Sequence, residues 1–306
     1  MHRYVLRRIL QMVPVLLIVS FIVFVSVRMI PGDPARMIAG LEASEEVVQN
    51  IRQQLGLDQP ILTQYVRFLQ GLLTGDLGTS LYFKTPVFTE LATRLPNTLK
   101  LAFSGTLFAA LIGVTGGILS AVYRGSILDN VAIIFSLAGV SMPSFWLALL
   151  FIQLFSVKLG WLPSSGSGTW QHLVLPALTL GMYGAGRIAR LTRSSMLEVL
   201  SADYVRTARA KGLANYIVIY KHAFMSAIIP VVTVIGLEFG GFLGKAVIAE
   251  TVFAWPGVAR LIVEAVLQRD FPLIQGGVLW LAFGFTLINL VVDVLYGFLD
   301  PRIRYS

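Results

Sequence analysis

The chain has 306 residues, a formal net charge of +8 and no cysteine. Its residues are 56% hydrophobic and 13% charged, and its mean hydropathy is +0.77. This composition excludes an ordinary water-soluble domain, and the lack of cysteine excludes disulfides, thiolate metal sites and cysteine nucleophiles. Because helices satisfy their own backbone hydrogen bonds in lipid, the sequence predicts an all-α integral membrane protein.

Six apolar stretches are each long enough to cross a bilayer as a helix, which takes roughly 20 residues. Glycine and proline inside them are tolerated where neighbouring helices satisfy the backbone. The first stretch is longer than the apolar part of a signal peptide, so we expect it to be retained. The predicted transmembrane helices are Ile9–Ile30, Asn97–Tyr123, Val131–Val157, Leu173–Thr192, Phe224–Ala249 and Gly276–Leu299.

Lysine and arginine are unevenly distributed among the predicted loops. The short external loops contain only Lys158, Arg260 and Arg269. Basic loops remain in the cytoplasm, so both termini are predicted to lie there. The net charge therefore reflects orientation and contact with lipid, and nucleic acid is not an expected partner. The predicted cytoplasmic set is Arg3, Arg7, Arg8, Arg124, Arg187, Arg190, Arg193, Arg206, Arg209, Lys211, Lys221, Arg302 and Arg304.

The spacing of the predicted helices divides the chain in two. Residues 1–96 contain the first transmembrane helix and a long external segment, Pro31–Pro96. Within this segment Glu45–Leu55 and Ile61–Leu73 have helical apolar spacing, which favours a small folded elaboration over the alternative of a passive loop. Residues 97–306 are predicted to form a core of five helices.

Small residues recur every four positions in three of the predicted helices. This spacing places each set on one helix face, and such faces let helix backbones approach closely in lipid. We interpret them as helix-packing faces, with a conduit lined by glycine as the alternative. The glycines that carry this prediction most directly are Gly113, Gly117, Gly236, Gly240 and Gly244.

Three catalytic or nucleotide-binding motifs are absent or incomplete. No H-E-x-x-H zinc motif occurs, so no metal site is predicted. "GVSMP" (139–143) weakly resembles an intramembrane serine protease but lacks a histidine deep in another span. "GGFLGKA" (240–246) is one residue too short for a P-loop and has no Ser or Thr after its lysine. We therefore predict no catalytic residue, and no ATP site in this chain.

Charge is concentrated in "DYVRTARAKGL", residues 203–213, within the longest cytoplasmic piece, Arg187–His222. Ser201 or Asp203 is suited to cap a helix there, and Gly212 to end it. Contact with anionic lipid is one use for such a helix. Its mixture of basic, aromatic and small residues favours a ridge that inserts into a groove of a partner protein.

The sequence resembles the inner-membrane permease subunits of binding-protein-dependent ABC importers, in the dipeptide, oligopeptide, nickel and glutathione group. The resemblance spans the chain and rests on "YVLRRIL…VRMIPGDPAR", "QQLGLDQP", "GDLGTS", "LTRSSMLEVLSADYVRTARAKGL", "HAFMSAIIPVVTVIGL" and "ETVFAWPGVARL". It implies a type I importer fold in a bacterial inner membrane, a second homologous permease subunit, two ATPase subunits that use ATP and Mg²⁺, and an extracytoplasmic solute-binding protein.

The resemblance also implies a coupling helix at about 203–212 that docks into an ATPase subunit. This chain has Arg206-Thr207-Ala208 where the general family signature begins Glu-Ala-Ala. The residues carried over to this role are Asp203, Tyr204, Arg206, Thr207, Ala208, Arg209, Ala210, Lys211 and Gly212.

Glu238 and Lys245 are the candidate residues of the translocation pathway, because charged groups inside a membrane usually face a cavity or the bundle interior. The alternatives are a buried contact with the partner permease and, for Lys245, snorkelling to the edge of the lipid. Glu238 and Lys245 are seven residues apart, about 10 Å along a helix, so no direct ion pair is expected, and Glu238 is predicted to accept the ammonium end of a peptide. Dipeptides or short peptides are the expected cargo, with glutathione and a nickel chelate as further possibilities. The alternative functions are an ion-coupled secondary transporter and an intramembrane hydrolase.

Overall fold

The computed structural model describes residues 2–29, 33–40, 42–54 and 56–299. Within these ranges the secondary structure is helical, apart from turns and one isolated bridge between Thr79 and Pro86. Two π-helical segments, Ile152–Lys158 and Val218–Phe224, interrupt the α-helices. The α-helices are α1 His2–Arg28, α2 Pro34–Ala39, α3 Glu45–Gln54, α4 Ile61–Thr74, α5 Val87–Val122, α6 Ile127–Ser141, α7 Ser144–Phe151, α8 Gln171–Leu200, α9 Asp203–Ala210, α10 Asn215–Ile217, α11 Met225–Val252, α12 Val258–Leu267 and α13 Phe271–Leu299. Some residues used in the predictions above lie outside the described ranges. They are Ile30, Pro31 and Leu55, which bound predicted segments, and Arg302 and Arg304 of the predicted cytoplasmic set.

Four helical stretches in the described ranges are long and apolar enough to span a membrane. They are Leu6–Arg28, Val87–Val122, Asn215–Val252 and Phe271–Val294. Each overlaps one of the predicted spans, because a continuous apolar run about 20 residues long is a signal that does not depend on tertiary contacts.

The third predicted span, Val131–Val157, is not one straight helix. It consists of α6 followed by α7 and a π-helical turn, which together are apolar enough to span a membrane but are bent by 111°. The bend falls at Met142 and Pro143, where Met142 is extended with φ −78° and ψ 133°. Proline disfavours the helical conformation of the preceding residue, which explains the break.

The fourth predicted span, Leu173–Thr192, lies inside α8, which continues to Leu200. Glycine, proline and arginine dilute its apolar residues, so α8 is not among the four stretches that are apolar enough over the described residues. The structure thus contains four to five apolar spans by length and composition in its described part, fewer than the six predicted from the sequence.

The chain forms two compact units. Among the described residues, the core unit comprises Asn97–Pro256 together with residues 2–6 and 284–299. The N-terminal unit comprises Arg7–Pro96 and also Gly257–Phe283. Residues 257–283 group with Arg7–Pro96 because segments far apart in sequence pack together in the N-terminal unit. The division into residues 1–96 and 97–306 stays a prediction.

The centre of the core unit lies where α5, α8 and α11 pack. A Cβ atom built on Gly113 would lie 2.7 Å from Cβ of Ile188, and one on Gly117 would lie 2.6 Å from the carbonyl oxygen of Ala189. A Cβ on Gly181 would lie 2.6 Å from the carbonyl oxygen of Gly105. Only glycine permits these approaches, since real Cβ atoms do not come so close to neighbouring atoms.

The glycines of α11 differ among themselves. Gly236 faces Val292, and Gly240 faces Ile288 and Asn289, all on α13. Gly244 departs from the prediction of a packing face, because a Cβ there would meet no atom of the described residues within 4 Å. The four-residue spacing is regular, but α13 covers only part of that helix face.

The N-terminal unit contains the predicted helical segments as α3 and α4. Tyr65 of α4 packs edge-on against Phe21 and Phe24 of α1, and its hydroxyl is 2.8 Å from Oγ of Ser20. Elsewhere in this unit Asp270 accepts a 2.5 Å hydrogen bond from Oγ of Ser80. The segment after the first transmembrane helix is therefore a folded structure within the described ranges.

Candidate functional site

A helix, α9, is present at the position predicted for the coupling helix. Ala202 precedes it in an extended conformation, without a side-chain cap. The prediction of a Ser201 or Asp203 cap is wrong, because Ser201 Oγ donates to the carbonyl oxygen of Glu198 and Asp203 is already the first helical residue. Gly212 has φ +74°, a conformation that favours glycine, so the predicted stop is found.

One side of α9 packs on its own chain. Val205 and Ala208, three residues apart, are buried and cluster with Val218 of the following π-helical segment. Ala208 was predicted to belong to the docking ridge, but it faces the interior of the core unit. A spacing of three residues places both side chains on the same helix face, and the apolar face of α9 is the one that the protein buries.

The opposite side of α9 is exposed. Tyr204 and Arg206 lie open to solvent, and Leu213 and Tyr216 continue the exposed surface beyond the helix. Leu213 and Tyr216 were not singled out from the sequence, although two large apolar side chains within four residues of a helix stop were a usable signal. We define the α9 surface by its exposed residues, Asp203, Tyr204, Arg206, Thr207, Arg209, Ala210, Lys211, Gly212, Leu213 and Tyr216.

A buried ion pair anchors the end of the helix that leads into α9. Asp129, at the start of α6, accepts hydrogen bonds of 2.9 Å from Nε and Nη2 of Arg193 on α8. Ser120 Oγ of α5 donates to the same carboxylate at 2.5 Å, and the backbone NH of Gly125 donates at 2.9 Å. The Asp129 carboxylate thus ties α5, α6 and α8 together. The sequence had assigned Arg193 only to the cytoplasmic set and had not singled out Asp129.

The intramembrane candidates form a charge cluster in the core unit. Glu238 lies near the middle of α11 and is only 2% exposed. Its Oε1 is 2.6 Å from Nη1 of Arg187 on α8, and its Oε2 is 3.8 Å from Nζ of Lys245. The expectation of no direct pair between Glu238 and Lys245 is wrong, because the long lysine side chain bridges the axial distance. Lys245 Nζ also lies 4.1 Å from the ring centre of Tyr183.

Arg187 was assigned from the sequence to the cytoplasmic set. Its position inside the predicted span Leu173–Thr192 was the signal that it could reach a buried carboxylate. The structure brings it together with Glu238 and Lys245. We call these three residues, with Tyr183, the charge cluster.

The charge cluster has an excess of positive charge and an open side. The side chains of Arg187 and Lys245 are each 47% exposed, whereas Glu238 is buried. Next to Lys245, Cβ atoms on Gly241 and Gly244 would meet nothing within 4 Å. No group of three or more histidine, aspartate or glutamate side chains among the described residues is placed to hold a metal ion.

The long apolar helices and the packing of α5, α8 and α11 define a multi-pass membrane protein. Solved structures with the same fold include the methionine ABC transporter MetNI in an inward-facing conformation, with a TM-score of 0.58, 20% identity, and coverage of 69% of this chain and 96% of that one. An amino acid ABC transporter has a TM-score of 0.51 at 18% identity, covering 70% of this chain and 94% of that one.

Sequence comparison identifies the family. Residues 113–305 match the model of the binding-protein-dependent transport system inner membrane component, and residues 1–102 match that of its N-terminal part. The chain belongs to this family. It is 48% identical to the glutathione transport system permease protein GsiC of Escherichia coli (strain K12) and 50% identical to that of Salmonella paratyphi A, each over 100% of both chains.

The chain is therefore a permease subunit of a binding-protein-dependent ABC importer. It is a multi-pass inner-membrane protein and not itself an enzyme. Membership of the family implies ATPase subunits and a substrate-binding protein as partners, which agrees with the resemblance recognised in the sequence.

Proposed function

We propose that this permease imports glutathione or a closely related short peptide. The observation that carries the proposal is the 48–50% identity to glutathione transport permeases over the full length of both chains. The sequence favoured dipeptides or short peptides and left glutathione and a nickel chelate as further possibilities. Glutathione is itself a tripeptide, so this cargo lies inside the predicted range.

The proposed assembly contains this chain, a second homologous permease, two ATPase subunits that bind ATP and Mg²⁺, and an extracytoplasmic binding protein. Six membrane crossings with both termini in the cytoplasm fit the assembly, with the bent α6–α7 pair as the third crossing and α8 as the fourth. The distribution of lysine and arginine between the loops supports this orientation.

The α9 surface is the proposed docking site for an ATPase subunit. It is exposed, mixes basic and aromatic groups, and follows directly on α8, whose end is held by the Arg193–Asp129 pair. A short helix with one face packed on its own chain and the other exposed fits helix-in-groove recognition. Motion of the ATPase would then reach the core unit through α8 and the π-helical segment that packs on α9.

The cargo is tested by reconstituting the complete importer in proteoliposomes with its binding protein outside and ATP inside. We expect ATP-dependent accumulation of glutathione, and stimulation of ATP hydrolysis by glutathione-loaded binding protein. A dipeptide and a nickel chelate serve as competing cargoes. Accumulation of either in preference to glutathione, with loaded binding protein in both cases, refutes the proposed cargo.

A further inference from the structure

The charge cluster has one carboxylate for two cations. Glu238 Oε1 pairs with Arg187, while Oε2 is buried without a hydrogen-bond partner among the described residues, and Lys245 Nζ approaches it only to 3.8 Å. Uncompensated charge inside a membrane is costly, and such groups usually mark ligand pathways. The charge cluster therefore carries one positive charge that no anion within it compensates, near the middle of α11.

The geometry leaves both cations able to contact a ligand. Arg187 uses one nitrogen toward Glu238, and a guanidinium has five N–H donors in all. Roughly half of the Arg187 and Lys245 side-chain surfaces is exposed, and the bare backbone at Gly241 and Gly244 leaves space beside Lys245. A carboxylate is an anion that a guanidinium and an ammonium can bind together through charge-assisted hydrogen bonds.

We infer that Arg187 and Lys245 form a carboxylate-binding station for the cargo inside the core unit, with Glu238 as the residue that positions them. The choice of a peptide carboxylate as ligand rests on the proposed function. Glu238 contacts the two cations and not the cargo. Its carboxylate holds Arg187 in place from a buried position and lowers the positive charge, so the ligand is held weakly enough to leave again.

The cluster favours a negatively charged group of the cargo, whereas the sequence predicted a positively charged one. Glu238 alone suggests a site for the ammonium end of a peptide, but an ammonium approaching the cluster would meet Arg187 and Lys245 before the buried carboxylate. A second ligand source, the phosphate of a lipid headgroup, does not match a position at the middle of a helix that is long enough to span the membrane. The experiment separates these sources.

The first arm of the experiment needs no cargo. The chain has no cysteine, so Gly244→Cys introduces the only thiol of this subunit, at a place where its Cβ meets nothing within 4 Å. In the assembled importer, with the other subunits freed of reactive thiols, we measure labelling by a sulfonate-bearing and by a quaternary-ammonium-bearing methanethiosulfonate. At each position we take the ratio of the labelling rate with the anionic reagent to the rate with the cationic one. This ratio should be about tenfold higher at Gly244→Cys than at the control position, Gly116→Cys.

Adding Lys245→Gln to the Gly244→Cys variant should reduce this preference severalfold, and Lys245→Arg should restore it, which separates loss of charge from misfolding. The proposed carboxylate-binding station is contradicted if the ratio of anionic to cationic labelling is the same at Gly244→Cys as at Gly116→Cys. It is also contradicted if Lys245→Gln leaves the preference unchanged. Protection of the introduced thiol from both reagents contradicts it as well, since it means that lipid or a partner subunit covers the place.

The second arm compares transport of glutathione with that of its diethyl ester, in which both carboxylates are blocked, after calorimetry has shown that the binding protein binds both. Lys245→Gln should lower uptake of glutathione about tenfold and uptake of the ester clearly less. An equal fall means a structural role for Lys245 and overturns the station. If the unaltered importer transports no glutathione, the proposed cargo fails, while the labelling arm still decides whether the cluster attracts anions.

Discussion

Arg193 holds Asp129 through two hydrogen bonds of 2.9 Å, from Nε and from Nη2, to the two oxygens of one buried carboxylate. This fork geometry is specific to arginine. It joins α8 to α6 at the end of α8 that leads into α9. Removal of Asp129 leaves the charge of Arg193, whose side chain is only 26% exposed, without its partner, which costs more than the pair itself contributes.

We therefore expect Asp129→Ala to lower the free energy of unfolding by about 3–5 kcal/mol. The measurement is thermal unfolding of the purified importer in detergent. The control is Asp203→Ala, because Asp203 pairs with Arg206 at 3.6 Å on the surface, with both side chains at least 80% exposed. Comparable stability of the two variants contradicts a structural role for the Arg193–Asp129 pair.

Neighbouring glycines of α5 provide a matched test of helix packing. A Cβ on Gly117 would lie 2.6 Å from the carbonyl oxygen of Ala189 and from Cβ of Thr192, whereas one on Gly116 would meet nothing within 4 Å. Gly117→Ala must push α5 and α8 apart, and we expect a loss of about 1–3 kcal/mol. Gly116→Ala should be tolerated. The measurement is thermal unfolding of both variants. Equal losses of stability in Gly117→Ala and Gly116→Ala would mean that α5 and α8 are not closely packed.

The two faces of α9 predict different results for the same substitution. Ala208→Asp places a charge against Val205 and Val218 in the core unit, so it should destabilise the permease itself and lower the yield of folded protein. Ala210→Asp lies on the exposed side and should leave folding intact.

If the α9 surface docks on an ATPase subunit, Ala210→Asp should reduce the stimulation of ATP hydrolysis by loaded binding protein at least about tenfold, because a charge buried in an interface without a partner costs several kcal/mol. The assay is ATP hydrolysis in proteoliposomes, with binding-protein stimulation as the readout. If a stably folded Ala210→Asp importer still shows full stimulation of ATP hydrolysis by loaded binding protein, the α9 surface is not the docking site.

A surface pair in the N-terminal unit predicts a pH dependence. Burial raises the pKa of Asp33, but the hydrogen bonds from Arg52 at 2.5 Å and from the backbone NH of Ala35 outweigh it and leave the pKa below its usual value. A carboxyl group with a lowered pKa stabilises the fold above the pKa of the unfolded chain, and this contribution is lost as the pH falls through the folded pKa.

The contribution is small, about 0.2–1 kcal/mol, because both side chains are about one-third exposed. We expect proteolysis near α2 and α3 to increase as the pH falls below about 4, and Asp33→Asn to show the faster cleavage already at neutral pH. The protease must be one that is active across this range. A pH profile that is the same for Asp33→Asn and the unaltered chain argues against the pair.

Much of the architecture follows from local pattern. Four of the predicted spans, the helices at Glu45–Gln54 and Ile61–Thr74, and the stop of α9 at Gly212 depend on apolar runs, helical periodicity and the conformational freedom of glycine. Each is a property of a short stretch of chain, so it can be recognised without knowing what packs against it. The family is likewise recognisable from motifs in their order along the chain.

The sequence by itself therefore determined a helical membrane permease with an exposed helix at 203–210, and candidate charges at Glu238 and Lys245. Only the tertiary structure decided that Ala208 faces inward, that Gly244 stays uncovered within the chain, and that Arg187 reaches Glu238 from another helix. Periodicity defines the faces of a helix but not its neighbours. Which face is buried, and which charges meet, depends on contacts between α8 and α11, whose residues are far apart in sequence.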